Sequence, residues 1–214
     1  MTVDQTLGDI LAAAADGRFP PVDGGTTLVP QPGPRDASVL AFTAHSVIFL
    51  DEDPDWLRAT LAATDADPLG AAMNPAFLAA LMARTGRSMN CVDLLTCAPA
   101  LPGEPPLALR EIEDPAHPRV ARALKFRDDV RVWAADGGVL VLGRGVAGRW
   151  EAAIELDESA RGQGLGAQLA IAARHLVPDG VLWAQQSPGN ARSVRTFQAA
   201  GFRPVGAEAL LLAH

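Results

Sequence analysis

Residues 150–202 constrain this chain more than any other stretch, because they read in order as strand, glycine loop, helix, strand and helix. The loop is Arg161-Gly162-Gln163-Gly164-Leu165-Gly166. It follows the apolar extended run Ala152-Ala153-Ile154-Glu155-Leu156 and opens a helical run from Leu165 to Leu176. Glycines at such a turn free the backbone amides of any neighbouring Cβ. A helix N-terminus adds about half a positive charge. The combination is an anion site, and phosphate or pyrophosphate is its natural ligand. The loop lacks the Gly-Lys-Ser/Thr of a P-loop, which argues against ATP hydrolysis.

The chain has 214 residues, enough for one large domain or two small ones. At 49 % hydrophobic and 20 % charged residues it has the composition of a packed globule. Net charge is -7 and the only lysine is Lys125, so no polybasic run exists and neither nucleic acid nor membrane is an expected partner. The charge is uneven. Residues 1–106 carry five arginines against thirteen acids, whereas residues 107–214 carry thirteen basic and twelve acidic residues. The second half is the better host for an anion, and the acidic first half tilts towards cationic ligands. Cys91 and Cys97 are too few for a disulfide framework and lie in an apolar stretch. Without a signal-like N-terminus or an apolar run of membrane-spanning length, the expected location is the cytoplasm.

Leu7, Ile10 and Leu11 predict an N-terminal helix, and residues 17–37, rich in Pro, Gly and Asp, read as loop. One or two strands are expected between Val39 and Leu50. Asp53-Pro54 and Asn74-Pro75 are helix start signals, and Met89 to Cys97 reads as a strand. Residues 98–106 hold four prolines and a glycine and form the expected linker between an N-terminal α/β region, 1–97, and a second domain, 107–214. In that domain a strand at Leu107–Ile112 precedes a helix from Asp114 to Lys125. Asp136-Gly137-Gly138 marks a hairpin. Strands at Arg149–Leu156 and Val181–Gln185 bracket the loop and its helix. A last helix, Asn190–Ala200, stops at Gly201, and extended structure runs from Phe202 to the end.

Two motifs give this second domain a resemblance to the GNAT superfamily of N-acetyltransferases. Arg161, Gly164 and Gly166 match the family's R/Q-x-x-G-x-G/A loop, and Asn190, Ser193, Phe197, Gly201 and Phe202 match the spacing of its Asn helix. The resemblance covers about residues 107–214. It implies an α+β fold with a mixed central sheet flanked by helices: an antiparallel meander, then a splayed parallel pair at 149–156 and 181–185. It also implies acetyl-CoA as co-substrate. The backbone of Ile154, Glu155 and Leu156 would hold the pantetheine arm. The amides of Gly162, Gln163, Gly164, Leu165, Gly166 and Ala167 would hold the pyrophosphate, with Arg161 bracing the loop or approaching phosphate. Asn190, Ser193 and Phe197 would line the other side of the cofactor. Relatives are often dimers, so a homodimer belongs among the expected states.

The chain departs from the family where chemistry is concerned. Many relatives place a tyrosine general acid seven residues after the motif asparagine. That position is Phe197 here, and the chain contains no tyrosine. Water, Ser187 or Ser193 would assist the departing thiolate, or it leaves unprotonated. Glu151 and Glu155 are the two candidates for the general base, Glu151 standing one residue out of the commonest register. Gln185-Gln186 replaces an acid that some relatives carry. No spacing of His, Cys, Asp and Glu suggests a metal site. The expected activity is transfer of an acetyl or short acyl group from acyl-CoA to the primary amine of a small molecule or peptide. A CoA-binding module without catalysis is the alternative. Residues 38–97 are expected to supply the acceptor-site wall that the short second domain lacks, or to be a degenerate half of the same fold.

Overall fold

The computed structural model describes residues 5–113, 116–178 and 180–213. It is a mixed α+β fold in two compact units, residues 1–95 with 205–214 and residues 96–204. The last ten residues thus join the first unit, although the chain order alone would leave them with the second.

In the first unit, helix α1 (Leu7–Ala15) starts at Thr6, whose hydroxyl accepts the Asp9 amide while the Asp9 carboxylate takes the Thr6 amide. This reciprocal cap satisfies two of the amides that a helix start leaves open. Helices α2 (Pro54–Ala62) and α3 (Pro75–Thr85) begin at the two Asx-Pro signals, with Asp53 and Asn74 accepting the amides of Asp55 and Ala76. Strands β2 (Asp36–Phe42) and β3 (His45–Phe49) form a hairpin. The loop expected over 17–37 contains a strand, β1 (Thr26–Val29), paired in parallel with β3. Four residues give no periodicity to read, and a parallel partner twenty residues away is invisible to local pattern. The strand order is β1-β3-β2-β10-β4, with β4 at Asp93–Pro99 and β10 at Arg203–Leu212. Phe77, Leu78 and Leu81 of α3 pack with Val39, Ile48 and Leu211 to form the core.

In the second unit the order is β4-β9-β8-β7-β6-β5. Strands β5 (Arg110–Ile112), β6 (Asp128–Ala135), β7 (Gly138–Arg144) and β8 (Trp150–Leu156) form the antiparallel meander. Helix α4 (Pro118–Phe126) covers one face through Val120 and Ala123, which meet Val132 and Val141. Its N-cap is His117, whose Nδ1 accepts the Arg119 amide, so the helix starts later than Asp114, which lies outside the described residues. Helices α5 (Leu165–Leu176) and α6 (Ala191–Ala199) belong to the opposite face. Leu169, Ala170 and Ala173 of α5 and Phe197 of α6 bury against Leu140, Leu142, Ala152 and Leu182. Strand β9 is Val181–Gln186. Among the described residues no helix is long and apolar enough to cross a membrane. Nor is any group of three or more His, Cys, Asp or Glu placed to hold a metal ion.

Candidate functional site

Strand β8 has unequal neighbours. It pairs with β7 along its whole length, from Trp150↔Arg144 to Leu156↔Gly138. It pairs with β9, in parallel, only at Trp150↔Leu182 and Glu151↔Trp183. Beyond Glu151 the two parallel strands form no further ladder among the described residues. Half of the backbone groups of residues 152–156 are thereby left without a strand partner. Buried backbone polar groups require one, so this edge is suited to a ligand that hydrogen-bonds like a strand. Ile154, Glu155 and Leu156 are each half-buried there. Side chains alternate across the strand: Ile154 and Leu156 pack into the core under α5, and Glu155 turns to the α4 face.

The glycine loop begins where β8 ends. The amide of Asp157 donates to the Gly137 carbonyl at 3.0 Å, tying the loop to the β6–β7 turn. A Cβ on Gly137 would stand 2.6 Å from the Ala160 Cβ, so that hairpin glycine also seats the loop. Arg161 Nε donates to the Leu156 carbonyl at 3.4 Å, and Gln163 Nε2 donates to the Ser159 carbonyl at 2.8 Å. Both side chains therefore brace the turn. Gly162 and Gly164 sit at φ +79° and +86°, a region that L side chains rarely adopt. A Cβ at either would meet nothing within 4 Å. The space in front of these two residues is open.

Helix α5 has Gly164 as its N-cap and no side-chain cap. The amides of Ala167 and Gln168 donate back to the Gly164 carbonyl at 3.1 and 3.2 Å. Those of residues 162–166 have no acceptor among the described residues. Unsatisfied amides, a helix N-terminus and an open concave backbone together form a cradle for an anion. Ala167 is excluded by its own bond. Gly166 has another function: its Cβ would lie 3.1 Å from Thr196 Cγ2 and 3.4 Å from Leu156 Cδ1. It lets α5 approach α6 and β8.

The Asn-helix residues divide in the same way. Asn190 caps α6, its Oδ1 accepting the Ser193 amide at 3.1 Å. It is exposed and its amide nitrogen remains open to a ligand. Phe197 is part of the second unit's core. It is buried and meets Phe202 edge-on, with ring centroids 4.9 Å apart. Its spacing in the motif reflects core packing. Gln186 is buried as well, its Nε2 donating to Thr96 Oγ1 at 3.1 Å.

Glu151 requires the largest correction. The carboxylate is buried between two arginines: Arg127 Nε lies 2.9 Å from one oxygen and Arg149 Nε 2.8 Å from the other. Burial pushes the carboxyl up, but the charges of Arg149 and Arg127 and their hydrogen bonds outweigh that, and its pKa is lowered. A carboxylate held in this way is a poor proton acceptor, so the base role expected of Glu151 does not suit its surroundings. The cluster is built into the backbone. A Cβ on Gly145 would stand 2.3 Å from the Glu151 carboxyl carbon, and one on Gly143 2.9 Å from the Arg127 Cβ. Arg149 also stacks over Trp183, 5.5 Å from the ring centroid, where β8 and β9 still pair. Arg127 and Arg149 carry no motif signal in the sequence. Glu155 stays accessible: it is 43 % exposed and bonded through one oxygen to Arg119 at 3.0 Å.

No protein-family model matches the chain, and no curated protein sequence matches it. Solved structures do match it. A GCN5-related N-acetyltransferase from Kribbella flavida aligns at 19 % identity and TM-score 0.41, over 65 % of this chain and 64 % of that one. A GNAT-family structure from Novosphingobium aromaticivorans aligns at 18 % identity and TM-score 0.42, over 61 % and 69 %. A GCN5-related N-acetyltransferase from Sphaerobacter thermophilus aligns at 11 % identity and TM-score 0.38, over 63 % and 55 %. The chain thus spans 64 % of the first of these proteins.

Proposed function

We propose that the second unit binds an acyl-CoA and transfers its acyl group to a primary amine. The observation that carries this reading is the open parallel pair, β8 and β9, ending at an uncapped glycine helix start. An elongated ligand with a hydrogen-bonding arm and a diphosphate needs those two features side by side. The residues fit such a molecule: Gly162 and Gly164 have nothing in front of them, and the amides of residues 162–166 are unpartnered among the described residues.

When bound, the thioester supplies an activated acyl group. The chain's own contribution is then mostly positional. The amides of Gly162 to Gly166 hold the diphosphate, and the unpaired edge of β8 fixes the arm. The unpaired backbone just past Glu151 polarises the carbonyl. Orientation of two bound reactants supplies several kcal/mol, roughly 7–11 in well-aligned systems. Glu155 has an accessible oxygen but stands three residues, about 10 Å, further along β8, so an ordered water takes the amine proton at that carbonyl. Glu151 holds Arg149 and Arg127 in place instead.

The test is turnover. The purified chain is incubated with acetyl-CoA and a panel of primary amines, from polyamines to peptide N-termini, and free thiol is recorded. Amine-dependent thiol release supports the reading; its absence across the panel, with binding retained, favours a second one. That second reading is a CoA-binding module without catalysis, supported by the locked Glu151 and by Phe197 at the tyrosine position.

A further inference from the structure

The first unit holds a cavity that the acyl-CoA reading does not use. Its volume is about 750 Å³, and it lies past the ends of β1 and β3, where the chain turns into α2. Leu28, Leu50 and Leu57 are its apolar walls. All three also belong to the core beneath α3, so the cavity is on the face of the sheet that α2 and α3 cover. That volume, with apolar walls and few polar groups, suits a small ligand.

The rim is fixed before any ligand arrives. Gln31 uses both ends of its amide on backbone groups. Its Nε2 donates to the Gly33 carbonyl at 2.6 Å, and its Oε1 accepts the Asp51 amide at 3.1 Å. The segment after β1 is thereby tied to the segment after β3. Pro30, Pro34 and Pro54 stiffen the same lining. A preformed cavity has little ordering left to do on binding.

The charge of the lining has one sign. Asp51 and Glu52 are its charged residues, and no basic residue lines it. The Asp51 carboxylate is exposed and has no partner among the described residues. The Glu52 side chain is only 18 % exposed and accepts Arg84 Nε on Oε2 at 3.0 Å. Arg84 also lies over the Trp56 ring, 5.3 Å from its centroid, which orients the pair. The other Glu52 oxygen has no partner among the described residues. Arg84 compensates one of the two carboxylates and leaves one negative charge for a ligand. Residues 1–106 carry five arginines against thirteen acids, so the wider field has the same sign. A single positive charge on an apolar body matches both the acids and the leucine walls.

We propose that this cavity binds a small organic monocation, an ammonium group on a short alkyl or aryl body. The ammonium donates to the Asp51 carboxylate and to the open oxygen of Glu52. The body displaces water from Leu28, Leu50 and Leu57. Burial of that apolar area supplies affinity, and the carboxylates select for charge. The site is built within the first unit and does not rest on the acyl-CoA reading.

The probe is phenethylammonium, titrated calorimetrically into the full chain in the absence of any CoA. Phenethyl alcohol and hydrocinnamate serve as its neutral and anionic counterparts. The expected result is saturable binding of the cation, binding of the alcohol weaker by about 10-fold or more, and none of the anion. Added salt should weaken the cation and leave the alcohol unchanged. Asp51→Asn should weaken the cation by about 5-fold, the scale of one partly exposed charge pair. Asp51→Lys should weaken it by about 30-fold or more, because like charges then face each other. The Asp51 side chain holds nothing in place, so both variants should fold, and thermal unfolding is recorded for each. Asp16→Asn removes the same charge from an exposed pair with Arg18 at the end of α1 and should leave binding unchanged. No saturable binding of phenethylammonium, or equal binding of the alcohol, would overturn the proposal. So would an affinity that a folded Asp51→Lys leaves unchanged, which would seat the amine elsewhere on the chain.

Discussion

The two ends of β8 carry the same resemblance but behave oppositely. At its start, Glu151 is enclosed by Arg127 and Arg149 and its charge is fully compensated. At its end, the backbone runs into Gly162 and Gly164, where nothing lies within 4 Å of a would-be Cβ and the amides lack partners. At the second end backbone amides still lack partners, whereas at the first the side-chain carboxylate already has two. The geometry of a backbone motif can be read from spacing, because glycine and a helix start are local. A motif that works through a side chain depends on neighbours from distant sequence. Arg127 is 24 residues from Glu151, and it converts a candidate base into part of a clamp.

The comparison can be broken at the clamp first. Glu151→Ala leaves two arginines without their carboxylate in a buried site, which should cost about 3–5 kcal/mol in urea denaturation. A loss below about 1 kcal/mol would mean that the carboxylate is free after all, and would return Glu151 to the list of bases. The same clamp predicts an acid limb. The folded Glu151 carboxyl binds its proton less tightly than the unfolded one, whose ordinary value is 4.5. The unfolded state thus takes up more protons as the pH drops. This contribution to stability is present above about pH 4.5 and is lost as the pH falls through the lower folded value. In Glu151→Gln that part of the pH dependence of the urea midpoint should disappear.

A smaller effect separates packing from chemistry at Phe197. Phe197→Tyr introduces a tyrosine seven residues after Asn190, the position the resemblance would give it. Its hydroxyl would enter a site where the ring is buried against Phe202, so the variant should lose about 1–3 kcal/mol and gain no acyl transfer. A rise in amine-dependent thiol release would show that the ring edge reaches the reacting atoms. The smallest effect is at the open end. Gly162→Ala adds a methyl into empty space at φ +79°, so only backbone strain of about 1–2 kcal/mol is expected, with acetyl-CoA affinity reduced less than by any charged substitution.

Much of this was legible in the sequence because it is local. The Asx-Pro signals at Asp53 and Asn74 gave both helix starts, and Leu165–Leu176 was bounded by its own glycine and apolar period. The Asp136-Gly137 turn between β6 and β7 is equally local, although its second role beneath Ala160 was not. Strand β1 escaped because its four residues are held by β3 and not by their own pattern. The burial of Phe197 against Phe202 was not legible, because motif spacing does not distinguish a lining ring from a core ring. The partners of His45, Asp23 and Thr27, lie in the segment 17–37 that its composition marks as loop, so local pattern could not place them beside it.

The most direct measurement is calorimetric titration of the purified chain with acetyl-CoA beside Gly164→Glu, with thermal unfolding recorded for both. Gly164 faces open space, so a charged side chain there should leave the fold intact apart from backbone strain while placing a carboxylate where the diphosphate belongs. Micromolar binding by the wild type, weakened by about 100-fold or more in the variant, is the predicted result, equivalent to about 2.7 kcal/mol. No binding by the wild type, or binding that the variant leaves unchanged, would contradict the assignment of the glycine loop as an anion cradle.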